Sequence, residues 1–173
     1  TKRPQADSFY RGSVTYGSNQ LKQGTFDLNY SPNDSEKGAF RVNGRVADQN
    51  DPTDFVYFKN YYISPSYNFD LGDNTDLSVI ASYQHREYMR QQGLPVLGTL
   101  LANPNGALDS KLFISEPAHG GYNADVYRSG YNFAHTFENE WKFKQNFAVQ
   151  KTEMVGPVIS AATGKNLWAK NAD

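Results

Sequence analysis

Apolar and polar residues alternate along most of this chain. In the first segment, Tyr10, Val14 and Tyr16 share one parity, and the intervening positions are mostly polar. A period of two places successive side chains on opposite faces of a β-strand. The pattern therefore predicts seven strands and no helix. The predicted strands cover residues 9–17, 23–30, 39–48, 55–69, 77–84, 127–137 and 141–150.

The predicted strands are long, and aromatic residues gather near their ends. Strands that cross an outer membrane need about 9 to 11 residues, whereas strands in globular proteins average about 5 to 6. Most of the segments reach the membrane length. Aromatic rings at strand ends suit the two interfaces of a bilayer. The residues concerned are Tyr16, Tyr30, Phe55, Tyr57, Phe69, Tyr83, Phe137 and Trp141.

The connectors between the strands form two sets. Compact polar turns at 31–34, 71–74 and 138–140 follow the second, fourth and sixth strands. In the other set the first connectors are short and the later ones are long, covering about 85 to 125 and the residues from 152. Short turns at one end and long loops at the other are typical of bacterial outer-membrane barrels. The sequence thus predicts an all-β fold, a partial antiparallel transmembrane β-barrel of about seven strands.

The composition agrees with strands that have one wet face. Aromatic residues make up 14% of the chain, yet the hydrophobic fraction is only 38% and the mean hydropathy is -0.70. A net charge of -1 gives no global field that would attract nucleic acid. The absence of cysteine excludes disulfides and thiolate metal sites.

Enzymatic activity is not expected from these residues. His85, His119 and His135 are far apart in the sequence, and His135 has the parity of the apolar face. No glycine-rich phosphate loop follows a strand and opens a helix. Carboxylates are plentiful only in turns and loops, where solvation explains them.

Two other folds remain open at this point. An eighth strand within 158–173 would close a small structural or adhesion barrel, although that tail lacks alternation. A soluble β-sandwich would bury the aromatic faces against each other. We favour a piece of a larger barrel, because seven strands cannot close a bacterial barrel, which usually has an even number, and the chain ends in Asn171-Ala172-Asp173 without a terminal strand.

The chain opens with Thr1-Lys2-Arg3-Pro4. Further motifs follow it along the chain: residues 62–69 with Pro65, 75–77, 83–84, 93–95, 103–106, 116–117 and 143–147. In their order and spacing these motifs resemble the TonB-dependent receptors for ferric hydroxamates such as ferrichrome and ferrioxamine, where the first motif would be the junction between the plug and the barrel. The resemblance implies that residues 1–7 end the plug and that residues 8–173 begin a barrel of roughly 22 strands, with long extracellular loops at about 85–125 and from 152.

The same resemblance implies a function. The whole protein would lie in the outer membrane of a Gram-negative bacterium, surrounded by lipid and lipopolysaccharide, and would act as a monomer. It would bind an Fe(III)-siderophore as cargo, need no cofactor, and receive energy from the TonB complex through a region outside this sequence. Cobalamin or another chelate is the alternative cargo.

The expected ligand site lies where the fifth strand emerges. The iron of such a chelate is already coordinated, so the protein has to hold an organic shell with aromatic rings and hydrogen-bond donors. By the resemblance, Tyr88, Arg90, Gln91, Gln92 and Leu94 face the chelate, although relatives can carry aromatic residues where this chain has the two glutamines. An ordinary polar loop is the alternative. The alternation also places Arg41, Arg45 and Arg128 on the wet face, where they could hold the plug or remain solvated.

Overall fold

The computed structural model describes residues 2–32, 34–90, 93–161 and 168–171, with side chains described up to residue 157. Seven strands form one antiparallel sheet in chain order. They are β1 Phe9–Tyr16, β2 Lys22–Tyr30, β3 Phe40–Asn50, β4 Tyr57–Asp70, β5 Thr75–Tyr88, β6 Tyr122–Thr136 and β7 Lys142–Val155. The prediction of seven strands is confirmed.

The described residues that follow β7 do not extend this sheet. Two short strands, β8 Val158–Ala161 and β9 Trp168–Asn171, pair only with each other. Within the described ranges they supply no eighth strand to the sheet. A single turn of 3-10 helix, Pro117–His119, is the only helical segment there, and no helix in those ranges is long and apolar enough to cross a membrane.

Residues that pair across the sheet share a face, and the two faces differ sharply. One pairing row crosses six strands with apolar side chains only: Tyr30, Phe40, Tyr67, Val79, Tyr131 and Phe147. The adjacent row, on the other side, is polar: Asn68, Ser78, Asn132 and Asn146. We call these the apolar face and the polar face.

The apolar face does not pack into a core. Val14 is 70% exposed, Phe147 is 54% exposed, and Phe26 and Val79 are also exposed. Among the residues whose side chains are described, the buried apolar ones are few and mostly small, namely Ala39, Ala47, Val56, Met89 and Ala124. A β-sandwich would bury one face of the sheet, so that alternative is wrong. An exposed apolar face of this extent suits contact with lipid.

Several predicted boundaries are corrected by the structure. The long connector spans 89–121 rather than 85–125, since β5 and β6 both extend further than the alternation showed. The strand β7 likewise continues past 152 to Val155. Phe55 lies before β4, with a φ of 65°, and its ring contacts Phe113. Charged residues such as Glu87 and Glu153 occupy the apolar face near the ends of these strands. The alternation of apolar and polar residues therefore stops before the strand pairing does.

Pro65 interrupts the pairing of β4 with β5. The register is the same on both sides of it, from Ile63↔Tyr83 to Ser66↔Ile80, but proline has no N–H to donate. The hydroxyl of Ser64 donates instead to the carbonyl oxygen of Ala81, at 2.9 Å. The buried serine therefore supplies a donor that the proline cannot.

The turns at the other end of the sheet are tied together. The Nζ of Lys37 lies 2.9 Å from the Oδ1 of Asp73 and donates to the carbonyl oxygen of Gly72 at 2.6 Å. Lys37 holds the pKa of the Asp73 carboxyl below its usual range. This contact joins the β2–β3 connector to the β4–β5 turn.

Gly44 on β3 has no room for a side chain. A Cβ there would meet the ring of Phe26 and would lie 2.9 Å from the carbonyl oxygen of Tyr62. We expect Gly44→Val to lower the free energy of unfolding by about 2 kcal/mol through overpacking. Urea unfolding of the intact protein in detergent measures this. Gly24→Val is the matched control, since a Cβ at Gly24 meets nothing within 4 Å; equal losses for both variants would contradict the prediction.

Candidate ligand-binding site

Three aromatic side chains form a continuous row at the end of the sheet that carries the long connector. Phe58, Tyr88 and Tyr122 are direct neighbours in the pairing of β4, β5 and β6. Their rings are nearly parallel, with centroids 6.5 Å apart for Phe58–Tyr88 and 5.3 Å apart for Tyr88–Tyr122. We call this set the aromatic row. It lies on the polar face, where it offers flat apolar surface beside hydroxyl groups.

The strand ends hold the aromatic row in place. Tyr88 ends β5 and Tyr122 begins β6, so the register of these strands fixes the two rings side by side. The Tyr88 hydroxyl lies 3.9 Å from the sulfur of Met154 on β7. The adjacent Gly121 cannot carry a side chain, because a Cβ there would lie 2.6 Å from the carbonyl oxygen of Tyr88.

The long connector rests on the neighbouring β3–β4 loop. The backbone N–H of Asp54 donates to the carbonyl oxygen of Lys111 at 3.0 Å, beside the contact between the rings of Phe55 and Phe113. Met89, at the start of the connector, is buried, and its N–H donates to the carbonyl oxygen of Tyr57. The connector is thus anchored next to the aromatic row.

The sequence-predicted site residues have different positions. Tyr88 lies in the strand rather than in the loop and belongs to the aromatic row. Arg90 is exposed and Leu94 is half-buried in the connector; within the described residues neither makes a hydrogen bond or ring contact with the row. Gln91 and Gln92 lie outside the described residues.

Sequence reasoning missed Phe58 and Tyr122. Phe58 sits between two apolar-face residues, Tyr57 and Lys59, so it breaks the alternation as an aromatic residue on the polar face. That irregularity was a usable signal. Tyr122 carries no such signal, because residues 122–126 show no apolar periodicity and the sequence pattern predicts a loop there.

The opposite side of the same strand ends carries two carboxylates that are held by neighbouring side chains. Glu87 accepts from the Tyr57 hydroxyl at 2.8 Å and lies 3.4 Å from the Nζ of Lys59. The carboxylate of Asp125 accepts from Tyr83 at 2.7 Å and is 2.8 Å from the Nδ1 of His85. These carboxylates are therefore engaged on the apolar face. No group of three His, Cys, Asp or Glu side chains suited to a metal ion occurs in the described part.

The N-terminal segment, residues 2–8, lies against the polar face nearer the short turns. Asn29 on β2 is fully buried beneath it. Its side-chain oxygen accepts from the N–H of Gln5 at 3.0 Å, and its amide donates to the carbonyl oxygens of Gln5 and Asp7 at 2.9 and 2.7 Å. One asparagine thus makes three hydrogen bonds that fasten the segment to the wall.

A buried ion pair lies beside this asparagine. The Nε and a terminal nitrogen of Arg41 contact the two oxygens of Asp27 at 2.8 and 2.7 Å, a bidentate geometry. Asp27 also accepts from the Nζ of Lys2 at 2.7 Å, while Arg41 donates to the carbonyl oxygen of Arg3 at 2.8 Å. The two side chains therefore bind each other and the N-terminal segment.

The other two wall arginines differ from Arg41. Arg45 donates to the side-chain oxygen of Gln23 at 3.0 Å, and Arg128 is exposed. Neither has a carboxylate partner within the described residues. Of the three, Arg41 alone is a fixed part of the N-terminal contact.

Comparison with known proteins gives a consistent result. The ferrioxamine B receptor of Salmonella typhimurium is 28% identical over 177 residues, which cover 99% of this chain and 24% of that protein. The ferrichrome outer membrane transporter/phage receptor of Escherichia coli K12 is 26% identical, over 88% of this chain and 21% of that protein. The chain resembles siderophore receptors along almost its whole length. No family model matches it.

A solved structure confirms the fold. The closed form of the ferric-catecholate import receptor Fiu from E. coli aligns with a TM-score of 0.82 at 19% identity, covering 98% of this chain and 27% of that one. The sheet therefore has the fold of part of an outer-membrane receptor barrel. Together with the relatives named above, this fold places the chain in the outer membrane of a Gram-negative bacterium. The chain spans about a quarter of the length of these relatives. The apolar face is the lipid side and the polar face is the lumen side.

Proposed function

We propose that the protein containing this segment is a TonB-dependent outer-membrane receptor that takes up an Fe(III)-siderophore of the hydroxamate type. The aromatic row is the observation that carries this proposal. It offers stacked rings on the lumen side, at the strand ends below the long connector. An iron chelate with a filled coordination sphere is held by such apolar and hydrogen-bonding surface rather than by metal ligands. The names of the ferrioxamine B and ferrichrome relatives agree with it.

The proposal assigns roles to the parts of the chain. Residues 1–7 end the plug domain and join it to the barrel, and residues 8–173 form the first strands of a barrel of roughly 22. Tyr88, with Arg90, Gln91, Gln92 and Leu94 of the connector, contacts the chelate from the extracellular side. The hydrogen bonds from Asn29 and Arg41 to the N-terminal segment support the junction role.

The remaining roles concern the partners of the whole protein. The receptor acts as a monomer surrounded by lipid and lipopolysaccharide, and the TonB complex acts on a region outside this sequence. Transport needs neither a resident cofactor nor a catalytic residue, because the iron is cargo. The relatives are receptors and transporters, which supports a protein that is not an enzyme.

Binding calorimetry on the intact receptor in detergent tests the proposal. We expect a ferric trihydroxamate to bind with a Kd of about 1 μM or tighter, which corresponds to about -8 kcal/mol. Cyanocobalamin is the control for the alternative cargo and should release no heat. Binding of cyanocobalamin without binding of any ferric hydroxamate would contradict the proposal.

A further inference from the structure

Positive charge is concentrated on the lumen side of the sheet above the buried ion pair. The region extends from the pairing row that contains Asp27 to the aromatic row. Its lumen face carries four exposed arginines: Arg11, Arg45, Arg86 and Arg128. The only strand carboxylate on that face of the region is Asp27, which Arg41 and Lys2 already bind.

The other strand carboxylates of this region all lie on the lipid side. They are Asp48, Glu87, Asp125 and Glu153, and the strand pairing places each of them on the apolar face. Three of them have cationic or basic partners there, in the contacts Lys59–Glu87, His85–Asp125 and Lys151–Glu153. The lipid side is therefore close to neutral, whereas the lumen side has an excess of positive charge.

The four exposed lumen arginines, unlike the buried Arg41, have no carboxylate partner within the described residues. Arg45 and Arg86 each donate to a neutral glutamine side chain, at 3.0 and 2.8 Å, and Arg11 lies over the ring of Phe9. The side chain of Arg128 is exposed and has no hydrogen-bond partner among the described residues. Their charge remains available to a ligand in the lumen.

Two of these arginines lie on a route inward from the aromatic row. Arg86 is two residues from Tyr88 on the same face of β5. Arg128 lies further inside, where it lines a cavity of about 360 Å³ together with Arg3, Ser82, Asn132 and Asn146. The lining of that cavity contains two arginines and no carboxylate.

We propose that this receptor prefers ferric chelates with a net negative charge, and that Arg86 and Arg128 determine this preference. The inference rests on the proposed function and specifies its substrate class. A cationic wall attracts anions and repels cations, because low-dielectric protein beside the fixed charges strengthens their field on the lumen side. One more or one fewer unit charge on a chelate then changes its affinity strongly.

A series of chelates on one scaffold tests the preference on the intact receptor. The probes are the ferric complexes of a linear trihydroxamate whose terminal amine is free, N-acetylated or N-succinylated, so that they are cationic, neutral and anionic. We expect the anionic complex to bind about tenfold more tightly than the cationic one. The difference should shrink as ionic strength rises, because salt screens the arginines.

Charge-removing variants locate the determinant. Arg86→Gln and Arg128→Gln should each weaken binding of the anionic complex about fivefold and leave the neutral complex unchanged. Lys59→Gln, on the lipid side of the same strands, is the matched control and should change neither. Equal affinity for all three complexes, or an equal loss for all three in the arginine variants, would overturn the charge preference while leaving siderophore binding intact. Failure of every complex to bind would overturn the proposed function and this inference together.

Discussion

Replacing Asp27 by alanine is expected to lower the free energy of unfolding of the intact receptor by about 3 kcal/mol. The substitution leaves Arg41 buried without the carboxylate that it now holds in a bidentate contact. Breaking a buried ion pair from one side typically costs about 3 to 5 kcal/mol, because the remaining charge is neither hydrated nor paired. We take the lower end, since Arg41 keeps its hydrogen bond to the carbonyl oxygen of Arg3.

Urea unfolding in detergent, followed by tryptophan fluorescence, measures this loss. Asp48→Ala is the matched control, because Asp48 is an exposed aspartate on the lipid side of β3. It should change stability by less than about 0.5 kcal/mol. The double variant Asp27→Leu/Arg41→Met should recover most of the loss, because it removes both charges together. A loss in the double variant as large as in Asp27→Ala would show that the ion pair is not its cause.

Replacing Tyr88 by alanine is expected to weaken binding of a ferric trihydroxamate about 30-fold. Tyr88 is the central ring of the aromatic row, and its loss also separates Phe58 from Tyr122. Central aromatic residues of binding surfaces cost about 2 kcal/mol or more when truncated, and 1.4 kcal/mol corresponds to a factor of ten.

Calorimetry on the variant receptor measures the change in affinity. Tyr88→Phe keeps the stacked ring and loses only the hydroxyl, so it should weaken binding less than about fivefold. Tyr127→Ala is the matched control, because Tyr127 is a tyrosine of β6 on the lipid side, where its ring contacts Tyr83. Unchanged affinity in Tyr88→Ala, with a folded receptor, would exclude the aromatic row as the binding surface.

The strands and their faces could be predicted from the sequence because two solvents enforce the alternation. Lipid on one side and water on the other select opposite residue types at successive positions. The row that contains Tyr30, Phe40 and Tyr67 shows how well this works, because the pairing aligns residues of three strands whose faces the alternation predicts separately.

The strand ends could not be predicted, because both faces of the sheet carry polar residues there and the alternation of apolar and polar positions is lost. On β5, His85 and Glu87 point to the lipid side and Arg86 to the lumen side, so all three positions are polar. Pairing continues through them to Tyr88. The aromatic row lies in this zone, so the sequence pattern predicts a loop at Tyr122 instead of a strand.

The contact with the N-terminal segment was also outside the reach of sequence patterns. Asp27 and Asn29 look like any other wet-face residues of a strand. Their roles appear only when Lys2 and Gln5, which are 25 and 24 residues away in the chain, are placed against them. Alternation identifies a face, whereas long-range partners depend on the path of the chain.

The attachment of the N-terminal segment has a mechanical consequence. The segment is held by hydrogen bonds to Asn29 on β2, Arg41 on β3 and, from the Ser66 hydroxyl to the carbonyl oxygen of Lys2, β4. A pulling force applied ahead of Lys2 is therefore shared among three strands before it reaches the first residue of β1. These contacts transfer tension from the N-terminal segment to β2, β3 and β4, so tension on the chain does not separate β1 from β2.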